Sequence, residues 1–198
     1  LKTKTGQFIV TPDNGTLTLV AASLGIAEIR EIDEAVNRRK GSEKSYTFHG
    51  RDVYAYTAAR LAAAVVSFEQ VGRALPNEVV MIPYQKAILE NNKIKGTISI
   101  LDVQYGNIWT NIPAELFNQL QVKIGEKLHV AIYEGKVKKF EADMPYTETF
   151  GAVAKGKPLA YLNSLLQLSF ALNMANFSTV HKVYSGNNWT LEITKSGR

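Results

Sequence analysis

The 198-residue chain is 45% hydrophobic and 21% charged, has no cysteine, and carries a formal net charge of +5. This composition suits one or two globular domains, and the absence of cysteine excludes disulfides, thiolate metal sites and a cysteine nucleophile. None of the three histidines forms an HxxH or HExxH pair, so no metal site is predicted.

Neither a membrane nor a nucleic acid is predicted as a partner. No apolar run approaches the length of a membrane span and no secretory leader pattern opens the chain, so we expect a soluble, cytoplasmic protein. The pI of about 9.3 is compatible with nucleic-acid binding. However, the basic residues are dispersed apart from short groups at residues 38–40 and 136–139, which indicates an ordinary solvated surface.

The first half of the chain alternates between strand, turn and helix patterns. This alternation favours an α/β domain with a partly parallel sheet over residues 1–92. The elements predicted before the first long polar segment are a strand at residues 8–11, a helix at 17–25 and a strand at 27–32. The polar residues 33–45 are predicted to form a loop.

A second predicted unit in this half is the stretch "SYTFHG", residues 45–50, followed by a helix. The stretch is predicted to be a short aromatic strand that ends in a turn. Asp52 is the predicted N-cap of the helix. The apolar face of the helix is predicted from spacings of four, three and four residues between Tyr54, Ala58, Leu61 and Val65.

The second half of the chain has the period of two that is typical of strands. From Gly96 onward, short alternating segments are separated by Gly and Asn, which predicts an all-β barrel domain over residues 93–198, with a sandwich as the alternative. Strands are predicted at residues 127–135, 136–144, 157–164, 166–172 and 189–195. The domain boundary is predicted near residues 90–95.

Two charged or titratable residues stand out at the ends of apolar segments. His49 precedes a predicted helix at a strand end, where ligands commonly bind in open α/β sheets, although a turn histidine is the alternative. Asp102 continues the face of Ile98 and Ile100, and a buried carboxylate needs a partner or a cationic ligand. The alternative is that the strand has ended and Asp102 begins a turn.

Two further segments carry amide and aromatic side chains. In "QYGNIWTNIP", residues 104–113, the rings and carboxamides would suit a purine, although an ordinary loop with core aromatics is the alternative. In "YLNSLLQLSFALNMANF", residues 161–177, the pair Asn163 and Ser164 interrupts two apolar strands, and a hairpin turn accounts for it on pattern alone.

Four stretches, in this order, resemble the S-adenosylmethionine hydroxide adenosyltransferase family, which is related to the fluorinase and chlorinase: "FIVTPDNGTL", "TFHGRD", "DVQYGNIWTNI" and "PLAYLNSLLQLSFALNMANF". The resemblance implies an α/β N-terminal domain, a C-terminal β-barrel and a homotrimer with its site between neighbouring subunits. It implies that water or hydroxide attacks C5′ of S-adenosylmethionine, giving adenosine and methionine, without a cofactor.

The resemblance also assigns residues to the reacting end of the substrate. His49 matches the histidine of the family's water-activating Asp–Arg–His group, and Arg51 is predicted to be catalytic with it. Gly50 stands where the fluorinase has a halide-binding serine, which favours hydroxide as the nucleophile. Asp102 matches the carboxylate that is expected to hold the methionine ammonium.

The remaining predicted contacts follow from the same resemblance. Tyr105 and Phe150 match aromatic positions around the adenine, and Asn107 and the Met174 backbone match the groups that bind its edge. Ser164 matches the serine near the methionine carboxylate, and Asn163 is predicted beside it. Leu165 and Leu172 occupy positions where the fluorinase has arginines.

The resemblance further implies that part of the N-terminal domain lies upstream of Leu1. The aspartate and arginine partners of the histidine and the ribose-binding aspartate are expected there, so the chain alone is expected to be inactive. The first alternative function is a non-catalytic module that binds adenosine or S-adenosylmethionine. The second is a basic RNA-binding barrel, based on the pI and the "QYGNIW" aromatics.

Overall fold

The computed structural model describes residues 1–197. They divide into two compact units, the first spanning Leu1–Pro83 and the second beginning at Tyr84. The predicted boundary at residues 92–93 therefore lies within the second unit. There it coincides with a hairpin, because Ile88–Glu90 pairs antiparallel with the strand that begins at Lys93.

The first unit combines a small sheet with short helices. Its strands are β1 (Lys2–Thr3), β2 (Ile26–Arg30) and β3 (Ala74–Leu75), in the order β1-β2-β3. Its helical segments are α1 (Thr18–Leu24), α2 (Glu34–Asn37), a π-helical turn (Gly50–Ala55) that continues into α3 (Tyr56–Ala62), and a 3₁₀ turn (Phe68–Val71). A small core around Leu1, Leu17 and Ile29 joins the sheet to α1.

The mixed helix and strand content predicted for this unit is confirmed, but the partly parallel sheet is wrong. Both strand pairings in the described residues of the unit are antiparallel. Gly25 ends α1 as predicted, with φ of +65°, and β2 starts at the next residue. Glycine adopts this left-handed conformation without a steric penalty, so the chain reverses there without a crossover loop.

Two local predictions before residue 45 are wrong. Residues 8–11 form only an isolated bridge between Phe8 and Lys2, and the ring of Phe8 stacks on Phe68 at 5.1 Å between centroids. Residues 33–45 are not all loop, because α2 lies within them. Its N-cap is Asp33, whose carboxylate accepts a hydrogen bond from the Ala35 amide at 3.0 Å.

The stretch at residues 45–50 is a turn that enters a helix and not a strand. Asp52 is not the N-cap but lies inside the π-helical turn, with its side chain fully buried. The buried helix face carries Val53 and Thr57, whereas Val65 lies beyond the helix and is exposed. A π turn inserts extra backbone per turn, which rotates the face away from the one that regular α spacing predicts.

The second unit is a nearly closed antiparallel barrel. Its strands are β4 (Ile88–Glu90), β5 (Lys93–Asp102), β6 (Asn107–Pro113), β7 (Lys127–Glu134), β8 (Val137–Pro145), β9 (Pro158–Leu162), β10 (Gln167–Leu172) and β11 (Trp189–Lys195). The sheet has the order β8-β7-β11-β5-β6-β10-β9, with β4 paired to β5, and a bridge between Tyr146 and Ala160 connects the two ends of this order. The predicted barrel and its five C-terminal strands are confirmed.

Short helices complete this unit. They are α4 (Ala114–Phe117), α5 (Phe177–His181) and 3₁₀ turns at Asn118–Leu120 and Phe150–Ala152. Alternate strand residues fill the barrel, and the side chains with no measurable exposure include Ile94, Ile108, Ile112, Leu128, Ile132, Leu168, Phe170 and Phe177. No helix within residues 1–197 combines the length and the apolar character that a membrane span requires.

Because of a β-bulge in β5, the position of Asp102 differs from the predicted one. The pairing of β5 with β6 shifts register between Ile98 and Ile100, so Ile98 is buried while Ile100 is 45% exposed. Residues before and after a bulge do not keep the same alternation. The prediction that Asp102 continues a buried apolar face is therefore wrong, and Asp102 lies half-buried at the end of the strand.

Candidate functional site

A cavity of about 890 Å³ opens in the second unit. It is bordered by the turn between β5 and β6, by β9 and the turn after it, and by the segment that follows β10. Seven residues that the sequence predicts as contacts line it: Asp102, Tyr105, Asn107, Phe150, Asn163, Ser164 and Met174. The volume and the aromatic lining are typical of a small-molecule site.

The carboxylate and the carboxamide of the cavity are directly connected. Asp102 and Asn107 are the last register pair of β5 and β6, and Asn107 Nδ2 donates a hydrogen bond to Asp102 Oδ2 at 3.2 Å. The turn between them closes when the Gly106 amide donates to the Asp102 carbonyl at 2.6 Å, with the Gly106 φ at +72°. The turn therefore fixes both polar groups at one border of the cavity.

Aromatic rings form another part of the lining. The rings of Phe150 and Tyr161 lie 5.0 Å apart between centroids and are tilted by 53°. Phe150 is 40% exposed and Tyr105 is 61% exposed, so both present ring surface to solvent or to a ligand. Exposed rings of this size offer a purine a stacking surface.

Asn163 has a structural role in the turn between β9 and β10. Its Oδ1 accepts hydrogen bonds from the amides of Leu165 at 2.9 Å and Gln167 at 3.1 Å, and its Nδ2 donates to Ser169 Oγ at 3.0 Å. The side chain is buried and its amide is already occupied. The hairpin-turn interpretation therefore accounts for Asn163, while its neighbour Ser164 is exposed at the cavity.

Met174 lies in a tight turn directly after β10. The Ala175 amide donates to the Leu172 carbonyl at 3.3 Å, and Met174 has a φ of +53° and a side chain that is 77% exposed. A positive φ is unusual for a residue that is not glycine, asparagine or aspartate. Met174 is one of the residues that line the cavity.

Trp109, Tyr161 and Glu148 also line the cavity but were not predicted as site residues. Burial raises the pKa of the Tyr161 hydroxyl, and the charge of Asp102 acts in the same direction. The buried indole Nε1 of Trp109 interacts with the Tyr161 hydroxyl and lowers its pKa, which opposes part of the increase. Trp109 could have been found, because its segment is rich in aromatic rings and amides. Tyr161 could not, because a tyrosine in a strand with a period of two normally indicates a core residue.

The charges of the cavity are one-sided. Asp102 and Glu148 contribute two carboxylates, and none of the lining residues in the described part of the chain is Lys, Arg or His. In the same part of the chain, no group of three or more His, Cys, Asp or Glu side chains is arranged to hold a metal ion. The cavity therefore suits a ligand that combines an aromatic ring with a positive charge.

The three predicted residues at the reacting end, His49, Gly50 and Arg51, lie in the first unit. His49 Nδ1 is 2.7 Å from the Tyr46 carbonyl oxygen and Nε2 is 3.3 Å from Arg38 Nη2. Because guanidinium can only donate, the contact with Arg38 requires Nε2 to accept and Nδ1 to carry the proton. Glu34 Oε1 lies 3.9 Å from Nε2, and the other carboxylate oxygen, Oε2, accepts a hydrogen bond from Arg38 Nε at 3.1 Å.

Arg51 forms a bidentate ion pair with its neighbour in sequence. Its Nε and Nη2 donate to the two carboxylate oxygens of Asp52 at 2.7 and 2.8 Å. The hydrogen bond with Arg51 is the main reason why the pKa of Asp52 is lowered and that of Arg51 is raised. At Gly50 an added Cβ would have no atom within 4 Å, so this position borders open space.

The barrel and its aromatic, carboxylate-lined cavity define a small-molecule-binding domain. Comparison with protein families identifies the family to which this domain belongs. Residues 1–72 match the SAM hydroxide adenosyltransferase N-terminal domain, and residues 96–190 match the C-terminal domain of the same family. The chain belongs to the SAM hydroxide adenosyltransferase family.

Relatives of the chain have two kinds of name. It is 28% identical to a fluorinase from Actinopolyspora mzabensis, over 96% of this chain and 62% of that protein. It is 30% identical to an (R)-S-adenosyl-L-methionine hydrolase from Salinispora tropica, over 84% of this chain and 58% of that protein. The chain thus spans about three fifths of the length of these relatives.

A solved structure has the same fold. The chain resembles an uncharacterized conserved protein from Thermotoga maritima with a TM-score of 0.84 and 36% identity. The match covers 98% of this chain and 70% of that one. Both units of the chain therefore have counterparts in a known structure.

Proposed function

We propose that the cavity of the second unit binds S-adenosylmethionine and that the protein hydrolyses it to adenosine and methionine. The observation that carries the proposal is the joint position of Asp102, Asn107 and Phe150 in one cavity, whose lining within residues 1–197 has no basic side chain. An aromatic ring, a carboxamide and a carboxylate match an adenine face, an adenine edge and an ammonium group, respectively. The (R)-S-adenosyl-L-methionine hydrolases among the relatives support the choice of substrate.

The chemistry needs few groups from the protein. Water or hydroxide forms a bond to C5′ while the bond from C5′ to sulfur breaks, and the electron pair of that bond stays on sulfur. The leaving group is a neutral thioether, so it needs no proton from a general acid. The requirement is an oriented water that loses its proton during the attack.

His49 is the proposed acceptor of that proton. The hydrogen bond from Nδ1 to the Tyr46 carbonyl leaves the lone pair on Nε2. Arg38 Nη2 lies 3.3 Å from Nε2 and occupies this lone pair, so the attacking water has to take the place of that contact before Nε2 accepts its proton. Gly50 next to it presents no side chain, which supports water and not a halide as the nucleophile. Because some relatives are named fluorinases, the identity of the nucleophile has to be tested by experiment.

The test is chromatography of the products after incubation with S-adenosylmethionine in buffers with and without fluoride or chloride. Adenosine and methionine in equal amounts support hydrolysis, whereas a 5′-halogenated adenosine would identify a halogenase. We expect His49→Ala to lower the rate by about 10²-fold or more. His129→Ala, which removes a half-exposed histidine from the outside of the barrel, is the matched control.

A second candidate is a module that binds adenosine or S-adenosylmethionine without turning it over. The observation in its favour is that Arg51, a predicted catalytic residue, is engaged in a bidentate bond with Asp52. Saturable binding without any product would support this candidate, and the absence of binding would remove both. The homotrimer stays a prediction that light scattering of the chain tests.

A further inference from the structure

The carboxylates of the cavity influence which chemical groups the substrate can carry on the side chain attached to its sulfur. Glu148, in the segment after β8, is exposed at the cavity, and Asp102 is half-buried at its border. Both attract a cation and repel an anion. A methionine side chain carries one group of each kind, an ammonium and a carboxylate, so the two ends meet opposite electrostatic conditions in this cavity.

The partners that a ligand carboxylate normally uses are missing from the described lining. Arginine and lysine are the usual partners of carboxylates, and neither lines the cavity. The lining residue Leu172 is apolar and only 4% exposed. The neutral donors Asn163 and Asn173 already donate, to Ser169 Oγ at 3.0 Å and to the Val153 carbonyl at 2.6 Å.

In the described lining, the donors that remain are neutral. They include the exposed hydroxyl of Ser164 and the side-chain amides of Gln104 and Asn176. A carboxylate would exchange full hydration for at most these neutral donors, whereas an amine would gain Asp102 and Glu148.

We propose that the cavity selects its ligand through the amine and does not require the carboxylate. The ligand class is adenosyl sulfonium or thioether compounds whose side chain ends in an alkylamine, with S-adenosylmethionine as one acceptable member. This inference rests on the proposed function, since it assumes that adenosine occupies the aromatic part of the same cavity.

The test compares two unreactive thioethers that differ only in the carboxylate. They are S-adenosyl-L-homocysteine and S-(5′-adenosyl)-3-thiopropylamine, titrated into the 198-residue chain by calorimetry, with adenosine as a third ligand. We expect the amine compound to bind between equally and about tenfold more tightly than the homocysteine compound. A homocysteine compound that binds more tightly than the amine compound, by more than the error of the titration, would overturn the inference.

The three ligands distinguish a failure of the proposed adenosine site from a failure of the inference about the side chain. If adenosine binds and the carboxylate proves necessary, the proposed site stands and the inference about the side chain fails. If none of the three binds, the proposed function fails and takes the inference with it.

Two further measurements address the electrostatic basis. Glu148→Gln should reduce any preference for the amine compound and its sensitivity to salt, while Glu115→Gln, an exposed carboxylate on α4 outside the cavity lining, should leave both unchanged. An amine preference that is the same in Glu148→Gln and in the unsubstituted chain would contradict the role of Glu148 in selection.

Discussion

Asn107 Nδ2 donates a hydrogen bond to Asp102 Oδ2 at 3.2 Å, between the last paired residues of β5 and β6. The bond orients a half-buried carboxylate at the cavity border and uses only one of its oxygens. Because a carboxylate can accept several hydrogen bonds, Asp102 keeps capacity for an ammonium group of a ligand. The carboxylate and the carboxamide therefore act as one unit held by one turn.

Asp102→Asn should weaken binding of S-adenosylmethionine without unfolding the barrel. A hydrogen bond to a charged group contributes about 1.5–3 kcal/mol, so the expected loss of affinity is about 10- to 100-fold. Calorimetry with S-adenosylmethionine measures it, and adenosine should bind nearly as before. Equal losses for both ligands would mean that Asp102 holds the turn and not the ammonium group, and Glu115→Gln controls for the loss of one negative charge.

Phe150→Ala should weaken binding of adenosine, because the ring is 40% exposed at the cavity and is proposed to stack on the base. Stacking contributes about 1–3 kcal/mol per base, which corresponds to about 5- to 150-fold in affinity. Phe150→Tyr keeps the ring and should bind adenosine normally. Normal affinity in the alanine variant would remove Phe150 from the adenine site.

Gly106→Ala should destabilise the second unit. Gly106 has a φ of +72°, and an added Cβ would collide with the Asn176 side chain, which caps α5 by accepting from the Thr179 amide at 2.7 Å. The expected loss is about 1–3 kcal/mol in the free energy of unfolding, measured with urea. Gly151→Ala, at a glycine without positive φ and with no atom within 4 Å of the added Cβ, should cost little or nothing.

Asp52→Asn should remove a pH-dependent part of the stability of the first unit. The bidentate bond from Arg51 lowers the pKa of Asp52 below its usual 3.8. A lowered folded-state pKa stabilises the protein above the unfolded-state value, and that contribution is lost as the pH falls through the folded-state pKa. The difference in urea midpoint between the two proteins should therefore be largest above about pH 4 and shrink below it. A difference that does not change with pH would contradict the ionised pair.

The barrel strands could be predicted because each exposes one face and buries the other, which leaves a period of two in the sequence. The bulge between Ile98 and Ile100 could not be predicted, since one extra residue in a strand does not change the amino-acid composition in a recognisable way. For the same reason the surroundings of Asp102 were predicted wrongly. The resemblance assigns Asp102 to the methionine ammonium, and that role stays a prediction, although the residue lines the cavity.

The segment before the π turn shows a different limit. Tyr46 and Phe48 alternate as in a strand, but their rings pack under guanidinium groups, with Arg38 and Arg51 each 4.9 Å from a ring centroid. Such cation–π contacts join residues that local patterns treat separately. Glu148 was missed because an exposed glutamate between two strands is indistinguishable in sequence from any solvated residue.

The most direct test of the account is a crystal structure of the chain grown with saturating adenosine. The account predicts that the adenine ring lies against Phe150 or Tyr105 and that its edge is within hydrogen-bonding distance of Asn107. Adenosine bound outside the cavity, or a cavity that stays empty, would contradict it.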